Sequence, residues 1–475
     1  MFLTGTDPHN VGLGNIYELN TPEQSQAPNY VGHLTDNSLT VAQRLQQAGY
    51  YTVLSGKWHL GKRAQDMPNH WGFDDAFALL NGEANNYRHT DGYASPDGLD
   101  MYSYNGRGVM LPEGVFATDF YTDFLLDKLS SKQANNPNQP FFAFLAYTAP
   151  HSPLQAPDAD IAKYQGYYHD GPQVLAERRL ANLKQIGLVA QEVEPHPLVN
   201  VKPWDSLRDD EKATESKRMQ LYAAMVDNMD QNIGRVFNHL KANNQYDNTV
   251  IIFFSDNGAA GASREASQRW GGWIRDNRNN SFANMGKADS YISTGPSWAQ
   301  ASMTPFALYK GYTTDGAIRS PLIIKGSGVA QGVIEGRFAN LTDLAPTILD
   351  FAQLSKDTPA DKSPLQGNSL IANLATPNAQ VVGVSTPVAF EMRGNRQVRM
   401  GNYKATYLGT LPYGIPPVML PAGYWQLFDI VADPGETNNI ASENPQILAQ
   451  MIDIYKTYSA EVGVVELFDV DSPQP

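Results

Sequence analysis

Residues 249–258 read TVIIFFSDNG. Six apolar or β-branched residues without alternation describe a strand buried on both faces, as in a parallel sheet. The run ends in Ser255-Asp256-Asn257-Gly258. In open α/β sheets, ligands gather beyond the carboxyl ends of the strands. Asp256 and Asn257 would offer two hard oxygen donors there, which suits Ca²⁺ or Mg²⁺. Asp-Asn-Gly is equally the chemistry of a tight turn.

Outward from this strand, apolar runs alternate with amphipathic helical stretches, the pattern of an α/β fold with a largely parallel sheet. Residues 38–48 read as a helix closed by Gly49, and 51–55 as the strand that follows. Residues 120–129 are helical, with Phe120, Phe124 and Leu129 on one side, and 141–147 form a short buried strand. Tyr222, Met225, Val226, Met229, Ile233, Val236 and Leu240 recur every three or four residues, which predicts a long core helix. Residues 321–325 are another strand. Residues 355–380, rich in Pro, Asn, Ser and Asp, read as a connection. Beyond it, 381–384 and 390–408 suggest a smaller, partly antiparallel unit, closed by a helix over 445–458. These features divide the chain into residues 1–375 and a C-terminal subdomain, 376–475.

The chain has 475 residues, 42% hydrophobic and 18% charged, which suits a globular enzyme with a sizeable core. A net charge of −14 argues against nucleic acid as the default partner, although a basic pocket can sit in an acidic protein. No apolar run is long enough to span a membrane. There is no cysteine, which excludes disulfides, thiolate metal sites and a cysteine nucleophile. Residues 1–20 lack the basic start and apolar stretch of a signal peptide. As given, the chain reads as cytoplasmic; a leader ahead of Met1 would make it periplasmic.

Three further motifs carry chemistry. Gly56-Lys57-Trp58-His59-Leu60-Gly61 follows a strand; Lys57 could neutralise a transferring anion and His59 could move a proton. Ala149-Pro150-His151-Ser152-Pro153 holds an imidazole in a stiff loop, as suits a general acid. Leu308-Tyr309-Lys310-Gly311 offers a second cation. Singly, each has a plain structural reading: a surface lysine, a hydrogen-bonded histidine, a rigid turn. Three of the four motifs follow apolar strands. Together they make a site for transferring a tetrahedral oxyanion, sulfuryl or phosphoryl, by positioning and electrostatics.

GKWHLG, APHSPLQAP, FFSDNG and YKGYTTDGAIRSP resemble, in order, the motif series of the type I sulfatases of the alkaline phosphatase-like superfamily, the arylsulfatases in particular. HWGFDDAF, MVDNMDQNIGRVF, GPSWAQA and LFDIVADPGETNNIA are similar to the family's supporting segments, and the resemblance covers almost the whole chain. It implies an alkaline phosphatase-like sandwich with a large mixed sheet flanked by helices and a small C-terminal antiparallel sheet. It implies hydrolysis of a small-molecule sulfate ester, with Asp256 and Asn257 as two Ca²⁺ ligands. Lys57 would bridge sulfate and nucleophile, His59 would contact the nucleophile, and His151 and Lys310 would bind sulfate and assist the leaving group.

The family attacks with formylglycine, made from Cys or Ser in a Cys/Ser-x-Pro-x-Arg motif. No Pro-x-Arg occurs in these 475 residues. Met1-Phe2-Leu3-Thr4-Gly5-Thr6-Asp7 resembles the stretch that follows that motif. The expectation is a chain that starts late, without the first strand and its two Asp ligands, with an incomplete Ca²⁺ site, an exposed sheet edge and no useful turnover. Asp74-Asp75 does not follow an apolar strand and is no replacement. Two other readings stand beside the sulfatase: a phosphoryl or phosphonate ester hydrolase of the same superfold, and a non-catalytic oxyanion-binding remnant. Trp273 and Tyr291 read either as aromatic substrate contacts or as packing residues.

Overall fold

The computed structural model describes residues 1–87, 94–95, 98–99, 101–378, 383–409 and 422–471. Its central sheet holds β1 (Tyr51–Lys57), β2 (Asp75–Leu79), β3 (Tyr102–Tyr104), β4 (Arg107–Val109) and β5 (Phe141–Ala146), in the order β4-β3-β2-β1-β5. β1 runs parallel to β2 and β5, while β2, β3 and β4 are antiparallel neighbours. The carboxyl ends of β1, β2 and β5 therefore open on the same side.

Helix α1 (Val41–Gln47) begins at Val41, not at 38, because Thr40 and Gln43 form a reciprocal cap: each side chain accepts the other's backbone N–H at 3.0 Å. Strand β1 runs two residues beyond the expected end, into Gly56 and Lys57, held by the β2 register Gly56–Ala78 and Lys57–Leu79. Helix α2 (Ala117–Asn135) buries Ala117, Tyr121, Leu125 and Leu129, so its inward stripe is turned from the expected Phe120–Phe124 line. Phe120 and Phe124 instead edge-pack on Phe77 and Tyr104.

The TVIIFF strand departs most from expectation. β6 (Ile251–Phe254) is half-buried and pairs antiparallel with β7 (Leu322–Lys325), in a ladder separate from the central sheet. Between β5 and β6 runs a cleft of about 1750 Å³. Both strands line it, and so does one stripe of the long helix α3 (Asp209–Ala242). Tyr222, Val226, Met229, Ile233 and Val236, read from their spacing as core, face this cleft, as does the nearly covered Leu240, whereas Met225 is fully covered. Phe2 wedges into the gap, 5.1 Å from the rings of both Phe144 and Phe254. The apolar stripe does face inward, but what lies inward here is this cleft, so most residues on it are only partly covered.

The C-terminal sheet is an antiparallel meander of β8 (Val384–Met392), β9 (Asn395–Gly401), β10 (Tyr403–Tyr407) and β11 (Trp425–Asp429), backed by helix α4 (Pro445–Val462). Val381 and Val382, expected in its first strand, lie outside the described residues. Of the expected connection 355–380, the described residues 355–378 are mostly irregular but include the short helix Ile371–Ala375. Val398, Ala405, Trp425, Leu427, Met451 and Tyr455 form this unit's core. Among the described residues, no helix is long and apolar enough to cross a membrane.

Candidate active site

Lys57, the last residue of β1, points into a cleft of about 2730 Å³ at the carboxyl ends of the strands. His59, His151, Asp256, Asn257 and Lys310 line the same cleft, as does Met1. The six residues singled out in four separate motifs thus meet in one place.

Each is held by a local device. Trp58 donates its backbone N–H to Leu79 O at 2.8 Å and its indole N–H to Asp66 O at 2.8 Å, which fixes the chain between Lys57 and His59. His59 has φ +50°, an uncommon conformation for a residue with a side chain. Its Nε2 lies 3.5 Å from Glu18, which also meets Lys62 at 3.3 Å. The His59 contact, opposed by burial, holds the Glu18 carboxyl down at about 2. Gly82 lets the β2 exit loop close over the ring: a Cβ there would stand 2.7 Å from His59 Cε1. His151 sits between two prolines just past β5, with Nδ1 2.8 Å from the carbonyl oxygen of Ser152.

Lys310 is tied to the SDNG turn. Its backbone N–H donates to Ala259 O at 3.0 Å, and Gly258 N–H donates to Ala317 O at 2.8 Å. A Cβ on Gly258 would overlap the carbonyl oxygen of Gly316. Gly258→Ala should therefore push the SDNG turn off the Lys310 loop and cost about 1–3 kcal/mol. Urea unfolding of the variant checks this, and an unchanged midpoint would contradict the close approach.

Electrostatically the site is a nest of cations. Burial, then the neighbouring Lys310, lowers Lys57 to about 8, against the pull of Asp256, Glu83 and Glu18. Burial, then Lys310 and Lys57, pushes His151 well below its ordinary value, which favours the neutral imidazole. Clustered cations in a partly dry cleft are unfavourable alone and favourable around a dianion.

The fit to calcium is different. Asp256 is exposed, and the Asn257 side-chain amide already donates to Gly258 O at 2.9 Å. Among the described residues, no group of three or more His, Cys, Asp or Glu could hold a metal ion. Two oxygen donors fall short of the six to eight that Ca²⁺ takes. The residues present do not make a calcium cage, and no chemistry is assigned through one. Asp74 and Asp75 are structural: Asp74 accepts from Thr52 and Asp75 from the hydroxyls of Tyr51 and Tyr104.

Glu18, Glu83 and Arg264 also line the cleft and were not singled out from the sequence. Glu18 lies in a short 3-10 segment that gives no signal. Glu83 follows an apolar strand, the cue that found the other motifs. Tyr291 is 1% exposed, with its hydroxyl on Glu83, so it is a packing residue rather than a substrate contact. Trp273 packs against Trp270 and under Arg278.

The sulfatase family model matches residues 1–354. An uncharacterised sulfatase of Schizosaccharomyces pombe is 36% identical, over 98% of this chain and 85% of that protein. An arylsulfatase of Klebsiella aerogenes is 32% identical, over 77% of this chain and 78% of its own length. In fold, the chain is similar to the crystal structure of Ps i-CgsB in complex with k-i-k-neocarrahexaose. The TM-score is 0.62 at 22% identity, covering 96% of this chain and 80% of that one. With its mixed central sheet and its C-terminal antiparallel sheet, this chain belongs to the sulfatase family, the sulfuric ester hydrolases of the alkaline phosphatase-like fold.

Proposed function

We propose that the cleft binds sulfate monoesters of the arylsulfatase type, with Lys57 and Lys310 on the sulfuryl oxygens and His151 facing the ester oxygen. The observation that carries this is the convergence of two lysines and a neutral, half-buried histidine on one cavity at the strand ends. The similarity to an arylsulfatase over most of both chains supports the ester class.

The lysines offset the negative charge of the sulfuryl group and hold it in place. Once the bound anion offsets the lysines, His151 can take up a proton on Nε2 and hold it facing the ester oxygen, the place of a general acid. His59, steadied by Glu18, is the second group able to hold a proton at the site. Cysteine is absent and no Pro-x-Arg occurs, so no step is assigned to formylglycine here. Asp256 and Asn257 are the two residues that would contribute oxygens to a calcium ion.

Calorimetric titration of the full chain with inorganic sulfate tests the reading. Lys57→Ala and Lys310→Ala should each weaken sulfate binding about ten- to hundredfold, the loss of one charge-assisted contact. Competition between p-nitrophenyl sulfate and p-nitrophenyl phosphate separates the ester classes. Preference for the phosphate would favour the phosphoryl hydrolase reading, and no binding of either would remove the oxyanion site altogether.

A further inference from the structure

Residues 80–83, Leu-Asn-Gly-Glu, leave β2 at the same edge that carries Lys57. Asn81 pins the turn by accepting Met101 N–H at 2.8 Å, and Gly82 closes on His59. This delivers Glu83 into the space between the two histidines. Its carboxylate is 11% exposed. One oxygen accepts the Tyr291 hydroxyl at 2.8 Å; the other lies 3.5 Å from Arg264 Nη2 and 3.5 Å from His151 Nδ1. Tyr291 is itself locked against Trp270, and Arg264 lies over the Trp270 ring at 5.1 Å. The carboxylate is thus held from behind by a rigid wall.

The His151 ring has only one consistent protonation pattern in this setting. Nδ1 is 2.8 Å from the Ser152 carbonyl and faces the Glu83 carboxylate. Both partners can only accept, so Nδ1 carries a hydrogen. Nε2 is the ring nitrogen left to take up and release a proton.

We propose that Glu83 is a positioning residue for His151: fixed by Tyr291 and Arg264, it holds the ring with Nδ1 protonated and supplies the counter-charge for an imidazolium among cations. The groups facing the ring are Lys57, Lys310 and Arg264, which oppose its protonation, and Glu83, which favours it. A bound sulfuryl anion would offset the lysines, and Glu83 then keeps the proton on Nε2 until the leaving oxygen takes it. The inference rests on the oxyanion reading of the cleft and names the group that prepares its acid.

Nitrogen-15 NMR of the imidazole rings in the full chain tests this, with His151→Asn assigning the resonance and inorganic sulfate as the probe. In the native chain, neutral His151 should carry its hydrogen on Nδ1. Glu83→Gln should lower the His151 midpoint by about one unit, with and without sulfate, and raise the share of the Nε2–H tautomer. Tyr291→Phe, which only loosens the carboxylate, should shift both readouts part of the way, and Glu83→Asp should recover part of the loss. Should Glu83→Gln fail to fold, Tyr291→Phe carries the test alone. An unchanged midpoint and tautomer in the variants would overturn the assignment. Sulfate that fails to move the native midpoint would instead count against the oxyanion site, while the sulfate-free comparison still reads Glu83.

Discussion

Asp315→Ala should destabilise the protein by about 3–5 kcal/mol, the cost of removing one partner from a buried ionic cluster. Asp315 is fully buried, with both carboxylate oxygens on Arg399 at 2.6 and 2.7 Å and one on Lys404 Nζ at 2.7 Å. Lys404 is also fully buried and meets Glu436 at 2.9 Å, while Glu436 accepts the Asp315 backbone N–H at 2.7 Å. The alanine variant would strand Lys404 and Arg399 beside Glu436, whose own carboxyl is pushed up by burial despite Lys404. The cluster has a functional side. Asp315 opens the short helix Asp315–Ile318, five residues after Lys310, and the two cations hydrogen-bonded to its carboxylate, Arg399 and Lys404, belong to β9 and β10. The C-terminal sheet thereby holds the loop that presents Lys310, so the variant should also weaken sulfate binding. Burial works against ionisation of Asp315, but Arg399, Lys404 and Arg319 overcome it and hold the carboxyl far below its ordinary value. A depressed carboxyl contributes stability above its unfolded pKa and loses it only as pH falls through the folded one. The loss in the variant should therefore be constant across neutral and mildly acid pH. Urea unfolding at pH 5 and pH 7 measures it, and a loss under about 1 kcal/mol would mean that the cluster relaxes around the gap.

The second large effect is the alkaline sensitivity of His9. Its ring is fully enclosed, with Nδ1 2.9 Å from Asp7 and Nε2 3.2 Å from Glu391. Tyr458 donates to the other oxygen of Asp7 at 2.9 Å, so the group joins the N-terminal segment to β8 and α4. Both ring nitrogens face carboxylates, so both carry hydrogens and the ring is an imidazolium. Burial opposes that charge, but the hydrogen bonds to Asp7 and Glu391 prevail and raise His9 to about 9. A folded pKa above the unfolded value of about 6.5 gives a contribution that is full below pH 6.5 and lost as pH rises through 9. The size is about 3 kcal/mol. The native chain should therefore lose about that much between pH 6.5 and 9.5, and His9→Ala should be less stable at pH 6.5 with that alkaline slope removed. Parallel slopes for the two proteins in denaturant titrations would contradict the imidazolium.

Much of the site was legible from the chain because its residues sit in short motifs that follow apolar runs. Lys57 and His59 in GKWHLG, His151 between its prolines, Asp256 and Asn257 after TVIIFF, and Lys310 in YKG all line one cleft. The cue worked because strand ends of one sheet face one side. Glu83 gives the same cue after β2 and was passed over because a lone Glu in a loop has no other mark. Glu18 and Arg264 gave none. Glu18 acts through His59, 41 positions away in the chain, and Arg264 meets Glu83 across 181.

By itself, the sequence determined the main strands and helices and the family, and it named six residues that line one cleft. All of these depend on local periodicity or on contiguous motifs. Only the tertiary structure decided that TVIIFF pairs antiparallel with Leu322–Lys325 beside a cleft, and that Asp315 and His9 sit in charge clusters spanning the chain. Those outcomes depend on which distant groups meet and how much water is left between them. Burial and counter-charge, which set the protonation of Lys57, His151 and His9, are properties of that assembly and of no single stretch of chain.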